Sequence, residues 1–239
     1  DSTGDWSSDV CSSDLSEARH AEVHRIRDTQ NLRRQAQQTQ ARLPANTRDG
    51  MTIEVAANVA SSSEAQVAFE NGADGIGLLR TEFLFVDRRT APDEQEQRQA
   101  YQAVLDAMGD KSVIIRTIDV GGDKQLDYLP LPVEANPVLG LRGIRLAQVR
   151  PEVLDQQLRA LLQVSPLARC RILLPMVSEV DELLQIRQRL DELCVELKLT
   201  QRPELGVMIE VPAAALMAEQ LAERSEEHMS ELQSPVLSR

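Results

Sequence analysis

This sequence is poor in aromatic residues, and its positive charges are outnumbered by its negative ones. Of its 239 residues only 3% are aromatic, and 26 lysines and arginines face 38 aspartates and glutamates, giving a net charge of -12 at pH 7. Nucleic acids are bound by clustered lysine and arginine, so this balance argues against a nucleic-acid partner. The three cysteines have no paired spacing. They indicate a reducing, cytoplasmic setting without a disulfide framework.

Long hydrophobic runs are also missing. Charges or prolines interrupt every apolar stretch, as Glu210 and Pro212 do in VMIEVPAAALMAE, whereas a membrane-spanning helix needs roughly 18 apolar residues in succession. The sequence therefore predicts no membrane insertion. A hydrophobic fraction of 42% is enough for one sizeable core, which excludes collagen, mucin and full disorder.

The two ends do not read like parts of a protein domain. RSEEHMSELQS at 224–234 resembles the translation of a common sequencing-library adapter, and DWSSDVCSSDL at 5–15 resembles its reverse complement in another frame. We expect residues 1–15 and 224–239 to be artefactual tails, the alternative being a serine-rich disordered tail at each end. No function is therefore assigned to three residues in them: Trp6, Cys11 and His228.

Residues 16–48 are predicted to form a helical linker. The stretch 17–43 is rich in arginine, glutamine and alanine, contains no glycine or proline, and ends at Pro44. His20 and His24 are four residues apart and could bind a metal, but no carboxylate pattern accompanies them, which favours a solvated helix face.

Residues 49–223 alternate short apolar runs with amphipathic helices, the pattern of βα units around a parallel sheet. Strands are predicted at 53–57, 75–79, 113–117, 171–174 and 205–209. Helices are predicted at 63–71, 93–108, 151–163, 180–197 and from about Pro212 onward. Such a series fits either a doubly wound sheet or a TIM barrel, and the pattern alone does not choose between them.

Charged residues stand at the ends of three of these strands, namely Arg80, Arg116 and Glu210. In a barrel all three would lie on the C-terminal face, where active sites of this fold are built. Arginine binds phosphate bidentately, and a carboxylate suits Mg²⁺. The alternative is that these charges merely meet solvent at strand ends.

Five motifs carry a resemblance to a known family. They are GADGIGLLRTEFLF (72–85), VIIRTIDVGGDK (113–124), NPVLGLRGIR (136–145), LLPMVS (173–178) and GVMIEVPAAA (206–215). In order and spacing they closely resemble the phosphoenolpyruvate-binding barrel of enzyme I of the bacterial phosphoenolpyruvate:sugar phosphotransferase system. The resemblance covers nearly all of residues 17–223 and implies an α/β fold, a partial TIM barrel of about five βα units.

The resemblance also implies roles for individual residues. Arg80 and Arg116 match the arginines that hold the phosphoryl group of phosphoenolpyruvate, and Glu210 matches one of two Mg²⁺ ligands. Arg142 and Lys124 stand in matching motifs near the phosphate.

Three further residues and one glycine pair have local interpretations. Asp119 either orients Arg116 or is exposed on the insertion that follows the third strand. Gly75 and Gly77 are expected to allow close packing around a short strand, and Gly121–Gly122 a turn that a side chain would obstruct.

Several catalytic parts of the family have no counterpart in residues 16–223. These are the phosphoacceptor histidine and, from later βα units, an Asn-Asp pair with the second metal ligand, an arginine for the substrate carboxylate and a proton-donating cysteine. Cys170 and Cys194 fall at a strand start and within a helix, and are expected in the core. No catalytic residue is therefore expected in this chain, and the fragment itself is expected to be inactive.

The resemblance implies a parent enzyme that is cytoplasmic and homodimeric. It would transfer the phosphoryl group to a histidine and then to a phosphocarrier protein in sugar uptake. Multiphosphoryl transfer fusions contain the same barrel. The alternatives are a fragment of pyruvate phosphate dikinase or phosphoenolpyruvate synthase, or a non-catalytic module that senses phosphoenolpyruvate or dimerises.

Overall fold

The computed structural model describes residues 17–121, 126, 128–132 and 134–230. The chain divides into two units between Leu43 and Pro44. The first contains one helix, α1 (Glu17–Gln40), whose described side chains are all exposed. The predicted linker, 16–48, is thus helical only over Glu17–Gln40, since Ala45–Asn46 form a strand. The predicted domain limits at 15/16, 48/49 and 223/224 stay predictions.

The second unit contains a small hairpin and a parallel sheet. The hairpin pairs β1 (Ala45–Asn46) with β2 (Thr52–Ile53) in antiparallel fashion. The sheet has six strands in sequential order: β3 (Ala56–Val59), β4 (Gly75–Leu79), β5 (Ser112–Arg116), β6 (Cys170–Leu174), β7 (Glu204–Ile209) and β8 (Glu227–Ser230).

Helices connect the successive strands of the sheet. They are α2 (Ser62–Glu70), α3 (Glu94–Ala107), α4 (Leu146–Val149), α5 (Pro151–Leu162), α6 (Val180–Glu196), α7 (Pro212–Leu216) and α8 (Ala218–Ala222). All neighbouring strands are parallel, and the strand order never reverses. A doubly wound sheet would show such a reversal, so the fold is a partial (β/α) barrel.

Two strand predictions need correction. The predicted strand at 53–57 was wrong in its limits, because Ile53 pairs with Ala45 in the hairpin and the sheet strand begins at Ala56. Apolar residues stand on both sides of Glu54 in this stretch, so the pattern does not reveal which part pairs with which neighbour. The second error is β8, which was not predicted because its sequence, EHMS, has no apolar run. It lies in the segment interpreted as adapter-derived and pairs with β7.

Alternating side chains on the strands build two separate apolar layers. Residues such as Val113, Ile115, Ile172 and Val207 belong to the main core between sheet and helices. The side chains between them point to the opposite face, because successive residues of a strand alternate. There they form a second, smaller cluster: Leu78, Ile114, Leu173 and Met208.

A third cluster lies under the chain segment between β5 and α5. Its buried members are Phe85, Ile118, Val120, Leu126, Leu129 and Leu146. This packing ties the segment to the body of the fold. It also accounts for the burial of residues 117–121, which follow directly on β5.

Two glycines are required by close approach of the backbone. At Gly75 a Cβ atom would lie 3.0 Å from the Ser112 carbonyl oxygen on the neighbouring strand, which confirms the close packing expected there. At Gly121, φ is +126°, and a Cβ atom would lie 2.4 Å from the Leu141 carbonyl oxygen. Gly122 lies outside the described residues, and the role expected for Gly77 stays a prediction.

Gly121→Ala is predicted to destabilise the protein by about 3 kcal/mol, because it combines an unfavourable φ with a backbone clash. Gly50→Ala is the matched control: φ is also positive there, at +88°, but no atom lies within 4 Å of the added Cβ. Its cost should be about 1 kcal/mol. Urea unfolding of the three proteins measures both values, and equal losses would contradict the clash.

Candidate functional site

The candidate site is the next layer of side chains above the smaller apolar cluster. Two residues beyond Leu78, Ile114 and Met208 come Arg80, Arg116 and Glu210, on the same face by strand alternation. The register pairs Leu79 with Ile115, so the two arginines stand at the same level of neighbouring strands. The structure therefore brings the predicted strand-end charges to one face at the carboxyl edge of the sheet.

Arg116 is buried, with 7% of its surface exposed. Its Nη2 donates a hydrogen bond to Glu82 Oε1 at 3.0 Å, and its Nη1 lies 3.6 Å from Asp119 Oδ2. Nη1 also donates to the Met208 sulfur at 3.8 Å. The guanidinium therefore sits directly on the apolar cluster, between two carboxylates.

Asp119 joins Arg116 to Arg142. The Arg142 guanidinium donates from Nε to Oδ1 at 3.0 Å and from Nη2 to Oδ2 at 2.8 Å, a bidentate pair. Asp119 is 2% exposed, so of the two interpretations of this residue the structure supports contact with Arg116 and excludes exposure. The shared carboxylate places two arginine side chains around one buried negative charge.

Glu82 is a site residue that the sequence reasoning missed. It lies in a 3-10 turn after β4, is 2% exposed, and accepts hydrogen bonds from Arg116 and from the Asp119 backbone N–H at 3.2 Å. The feature of the sequence that could have revealed it is an acidic residue inside the mostly apolar stretch that follows Arg80. A buried acid is rare without a partner, but the partner is 34 residues away.

A buried polar network supports the segment that carries Arg116 and Asp119. Thr81 Oγ1 donates to the Arg116 carbonyl at 2.9 Å, and Gln157 Oε1 accepts from the Ile118 N–H at 2.8 Å. Gln157 Nε2 in turn donates to Thr81 and to the Tyr101 hydroxyl. Burial raises the pKa of Tyr101, so its hydroxyl keeps its proton at neutral pH.

Arg80 occupies a more open position. Its guanidinium carbon lies 5.2 Å from the centre of the Phe83 ring, within cation–π range. Its Nε is buried and has no hydrogen-bond partner among the described residues. A mostly apolar cavity of about 300 Å³ adjoins it, between the ends of β3 and β4 and helix α3.

Glu210 follows β7 and is half-buried. Its Oε1 accepts a hydrogen bond from the Met176 backbone N–H at 2.6 Å. Met176 has φ of +61°, unusual for a residue with a side chain. Gly143 lies against it, since a Cβ atom there would be 2.8 Å from Met176 Cγ and 3.3 Å from Asp119 Oδ1. The loops that carry the arginines and the glutamate are therefore in contact.

Glu210 is the one described residue that the sequence analysis predicted as a metal ligand. No group of three or more histidine, cysteine, aspartate or glutamate side chains that could hold a metal ion is found in that part of the chain. Mg²⁺ commonly uses one or two protein carboxylates and takes its other ligands from water and substrate phosphate. One half-buried carboxylate beside a cluster of arginines fits this chemistry as a partial ligand set.

The remaining candidates lie elsewhere. Lys124 is outside the described residues. His20 and His24 are exposed on α1. Cys170 and Cys194 are free and buried, as expected, and burial raises the pKa of the Cys170 thiol to about 12. A thiol with so high a pKa is inert as a nucleophile or acid at neutral pH.

Comparison with known proteins gives a consistent set of relatives. The family model described as "PEP-utilising enzyme, PEP-binding domain" matches residues 34–230. The chain is 47% identical over 182 residues to a multiphosphoryl transfer protein of Rhodobacter capsulatus, which covers 76% of this chain and 22% of the relative.

Phosphoenolpyruvate-protein phosphotransferases are similar to the same degree. The protein of Staphylococcus carnosus is 46% identical over 178 residues, covering 72% of this chain and 31% of the relative. That of Haemophilus influenzae is 45% identical over 185 residues, covering 75% and 32%. The chain thus spans between about a fifth and a third of these relatives.

Asp119→Asn is predicted to destabilise the protein by about 3 kcal/mol or more, because it leaves the buried Arg116 guanidinium and the half-buried Arg142 guanidinium with one carboxylate fewer. Asp155→Asn is the matched control, since Asp155 also binds two arginines, Arg159 and Arg189, but its side chain is 26% exposed. Its loss should cost about 1 kcal/mol or less. Similar losses in urea unfolding for both variants would contradict the assignment of Asp119 as a buried bridge.

Proposed function

The chain belongs to the PEP-utilising enzymes, through their PEP-binding domain, and on this premise we propose that its arginine rim binds the phosphoryl group of phosphoenolpyruvate. The parent protein is then a phosphoenolpyruvate-protein phosphotransferase. It transfers that group to a histidine and on to a phosphocarrier protein in sugar uptake. The observation that carries the proposal is the pairing of Arg116 and Arg142 on Asp119, with Arg80 at the level of Arg116.

The charge and geometry of the rim suit a phosphoryl dianion. Guanidinium groups keep their charge at any relevant pH and bind phosphate oxygens through two parallel N–H groups. Arg116 stands on an apolar layer that keeps water from one side of the site. A fixed charge in such surroundings interacts with an incoming anion more strongly than it would in water. Lys124 completes the proposed phosphate ligands.

Glu210 is proposed as one ligand of Mg²⁺. When bound, the ion would neutralise charge on the phosphoryl and enolate oxygens. The Met176 N–H holds one carboxylate oxygen of Glu210 in place, which orients the group at the carboxyl edge of the sheet. The contact of Met176 with the Gly143 turn links this carboxylate to the loop of Arg142.

These residues do their part of the chemistry without a general base. In phosphoryl transfer, catalysis consists mostly of positioning and of stabilising the charge that spreads over the transferred group. Arg80 and Arg116 would hold that group while the bond to the enol oxygen breaks. The acceptor histidine and the group that protonates the enolpyruvate have no counterpart in residues 16–223, so the proposed activity belongs to the parent and this chain binds without turnover.

Other parents remain as alternatives. Relatives named multiphosphoryl transfer protein and phosphoenolpyruvate-protein phosphotransferase are about equally similar to this chain, so a fusion protein and a stand-alone enzyme fit alike. A dikinase or synthase fragment and a non-catalytic sensing or dimerising module are not favoured by any observation. We also propose a cytoplasmic location and a homodimeric parent. As a separate observation, each helix in the described part of the chain is too short or too polar to span a membrane.

Arg116→Gln is predicted to weaken binding of phosphoenolpyruvate by at least about tenfold, because one charge-assisted contact to the phosphoryl group is lost. Isothermal titration calorimetry of the 239-residue chain with phosphoenolpyruvate and Mg²⁺ measures the change. Arg187→Gln is the control, since Arg187 pairs with Glu226, which lies at the amino ends of β7 and β8, away from the proposed site. Equal affinity of the unchanged chain and Arg116→Gln would overturn the proposal.

Glu210→Gln is predicted to remove most of the increase in phosphoenolpyruvate affinity that Mg²⁺ produces, while leaving the affinity without metal nearly unchanged. The neutral amide is a poor ligand for a hard cation. Titrations with and without Mg²⁺ measure the difference, and Glu219→Gln on α8 is the control. A Mg²⁺ effect of the same size in Glu210→Gln would exclude Glu210 as a metal ligand.

A further inference from the structure

We propose that Glu82 is the positioning residue of this site: it holds the Arg116 guanidinium in the orientation that receives the phosphoryl group. The inference rests on the proposed function, since it concerns the same arginine. It goes further by naming the residue on which the orientation of that arginine depends.

The hydrogen bonds of Arg116 single out Glu82. Among the described residues, Glu82 Oε1 is the one oxygen that accepts a hydrogen bond from the Arg116 guanidinium, at 3.0 Å. The nearer Asp119 oxygen is 3.6 Å away, and both oxygens of Asp119 accept from Arg142. Arg116 Nε is buried with no acceptor in that part of the chain. The Asp119 carboxylate is therefore near enough to attract the Arg116 guanidinium electrostatically, whereas the hydrogen bond to Glu82 fixes the orientation of that guanidinium.

The position of Glu82 is itself fixed from both sides. It stands in the 3-10 turn that begins directly after Thr81, whose hydroxyl donates to the Arg116 carbonyl. Oε1 also accepts the Asp119 backbone N–H. Consecutive residues of one turn thus hold both the backbone and the side chain of Arg116, so the guanidinium has little freedom to rotate.

Glu82 is a costly residue to bury at this place. It is 2% exposed, and its Oε2 is buried without a hydrogen-bond partner among the described residues. Buried acceptors without a partner are few in native proteins and call for an explanation. Stability does not provide one, since an apolar side chain of similar size would cost less. A role in orienting the neighbouring Arg116 guanidinium does explain why Glu82 is buried here.

Glu82→Gln distinguishes a positioning role from a purely electrostatic one, because the two roles predict opposite changes in anion affinity. If Glu82 only offset the charge of Arg116, its neutralisation would strengthen anion binding. A positioning role predicts weaker binding, because the charge-assisted hydrogen bond that directs the guanidinium is reduced. We expect the affinity of the full chain for inorganic phosphate to fall about tenfold, and unchanged or tighter binding would overturn the proposal.

Glu82→Asp tests the same point with the charge retained. The shorter side chain withdraws the carboxylate from Arg116, so we expect phosphate affinity to fall here also. Native affinity in this variant would mean that the charge suffices and would contradict positioning. Glu96→Gln is the matched control, because it makes the same chemical change in an exposed pair with Arg88 at 2.8 Å, and its affinity should equal that of the unchanged chain.

A spectroscopic readout decides the geometry independently of binding. In ¹⁵N-arginine-labelled chain, slow rotation of the Arg116 guanidinium should give separate Nη–H signals, identified by their loss in Arg116→Lys. We expect these signals to merge in Glu82→Gln and to persist in Glu96→Gln. Merged signals already in the unchanged chain, or separate ones in Glu82→Gln, would overturn the positioning role.

The two readouts keep this inference distinct from the proposed function. If the unchanged chain binds neither phosphoenolpyruvate nor inorganic phosphate, the proposed function fails. The Arg116 signals still decide whether Glu82 fixes the guanidinium.

Discussion

The carboxylate of Asp119 is the interaction on which the rest of the site depends. It is 2% exposed and contacts two guanidinium groups, one of them through a bidentate pair. Without it, Arg116 and Arg142 would repel each other in surroundings that screen charge poorly. Buried ion pairs of this kind add little to stability compared with apolar side chains. Their value here is that they hold two guanidinium groups at fixed places on the rim.

The fold supports this charge cluster from below and behind. Below it, Leu78, Ile114, Leu173 and Met208 form an apolar layer on the inner face of the sheet. Behind it, the side chains of Thr81 and Gln157 bind the backbone of the segment after β5. Binding sites are most accurate when rigid elements carry the groups and further hydrogen bonds lock them. In this chain a strand end carries each of Arg80, Arg116 and Glu210, and hydrogen bonds from neighbouring elements hold Arg116 and Glu210.

The sequence predicted the parts of the site that depend on local pattern. Arg80, Arg116 and Glu210 could be found because parallel strands place their carboxyl ends at one edge, and the strand runs are short and apolar. Glu82 could not be found in this way, because its importance arises from contact with Arg116, which is distant in the sequence. The predicted limits of β3 were wrong for a related reason. Ile53 pairs with Ala45 in the hairpin, and the local pattern does not reveal this contact. The strand β8 has no apolar signature and forms on the edge of β7.

The most direct test of the central claim is a crystal structure of the chain with phosphoenolpyruvate and Mn²⁺, whose anomalous signal marks the metal position in place of Mg²⁺. The account predicts phosphoryl oxygens within about 3 Å of the Arg80 and Arg116 guanidinium groups. It also predicts the metal on Glu210, with the Arg116–Glu82 hydrogen bond intact. Phosphoenolpyruvate bound away from this rim, or a metal bound without Glu210, would contradict it.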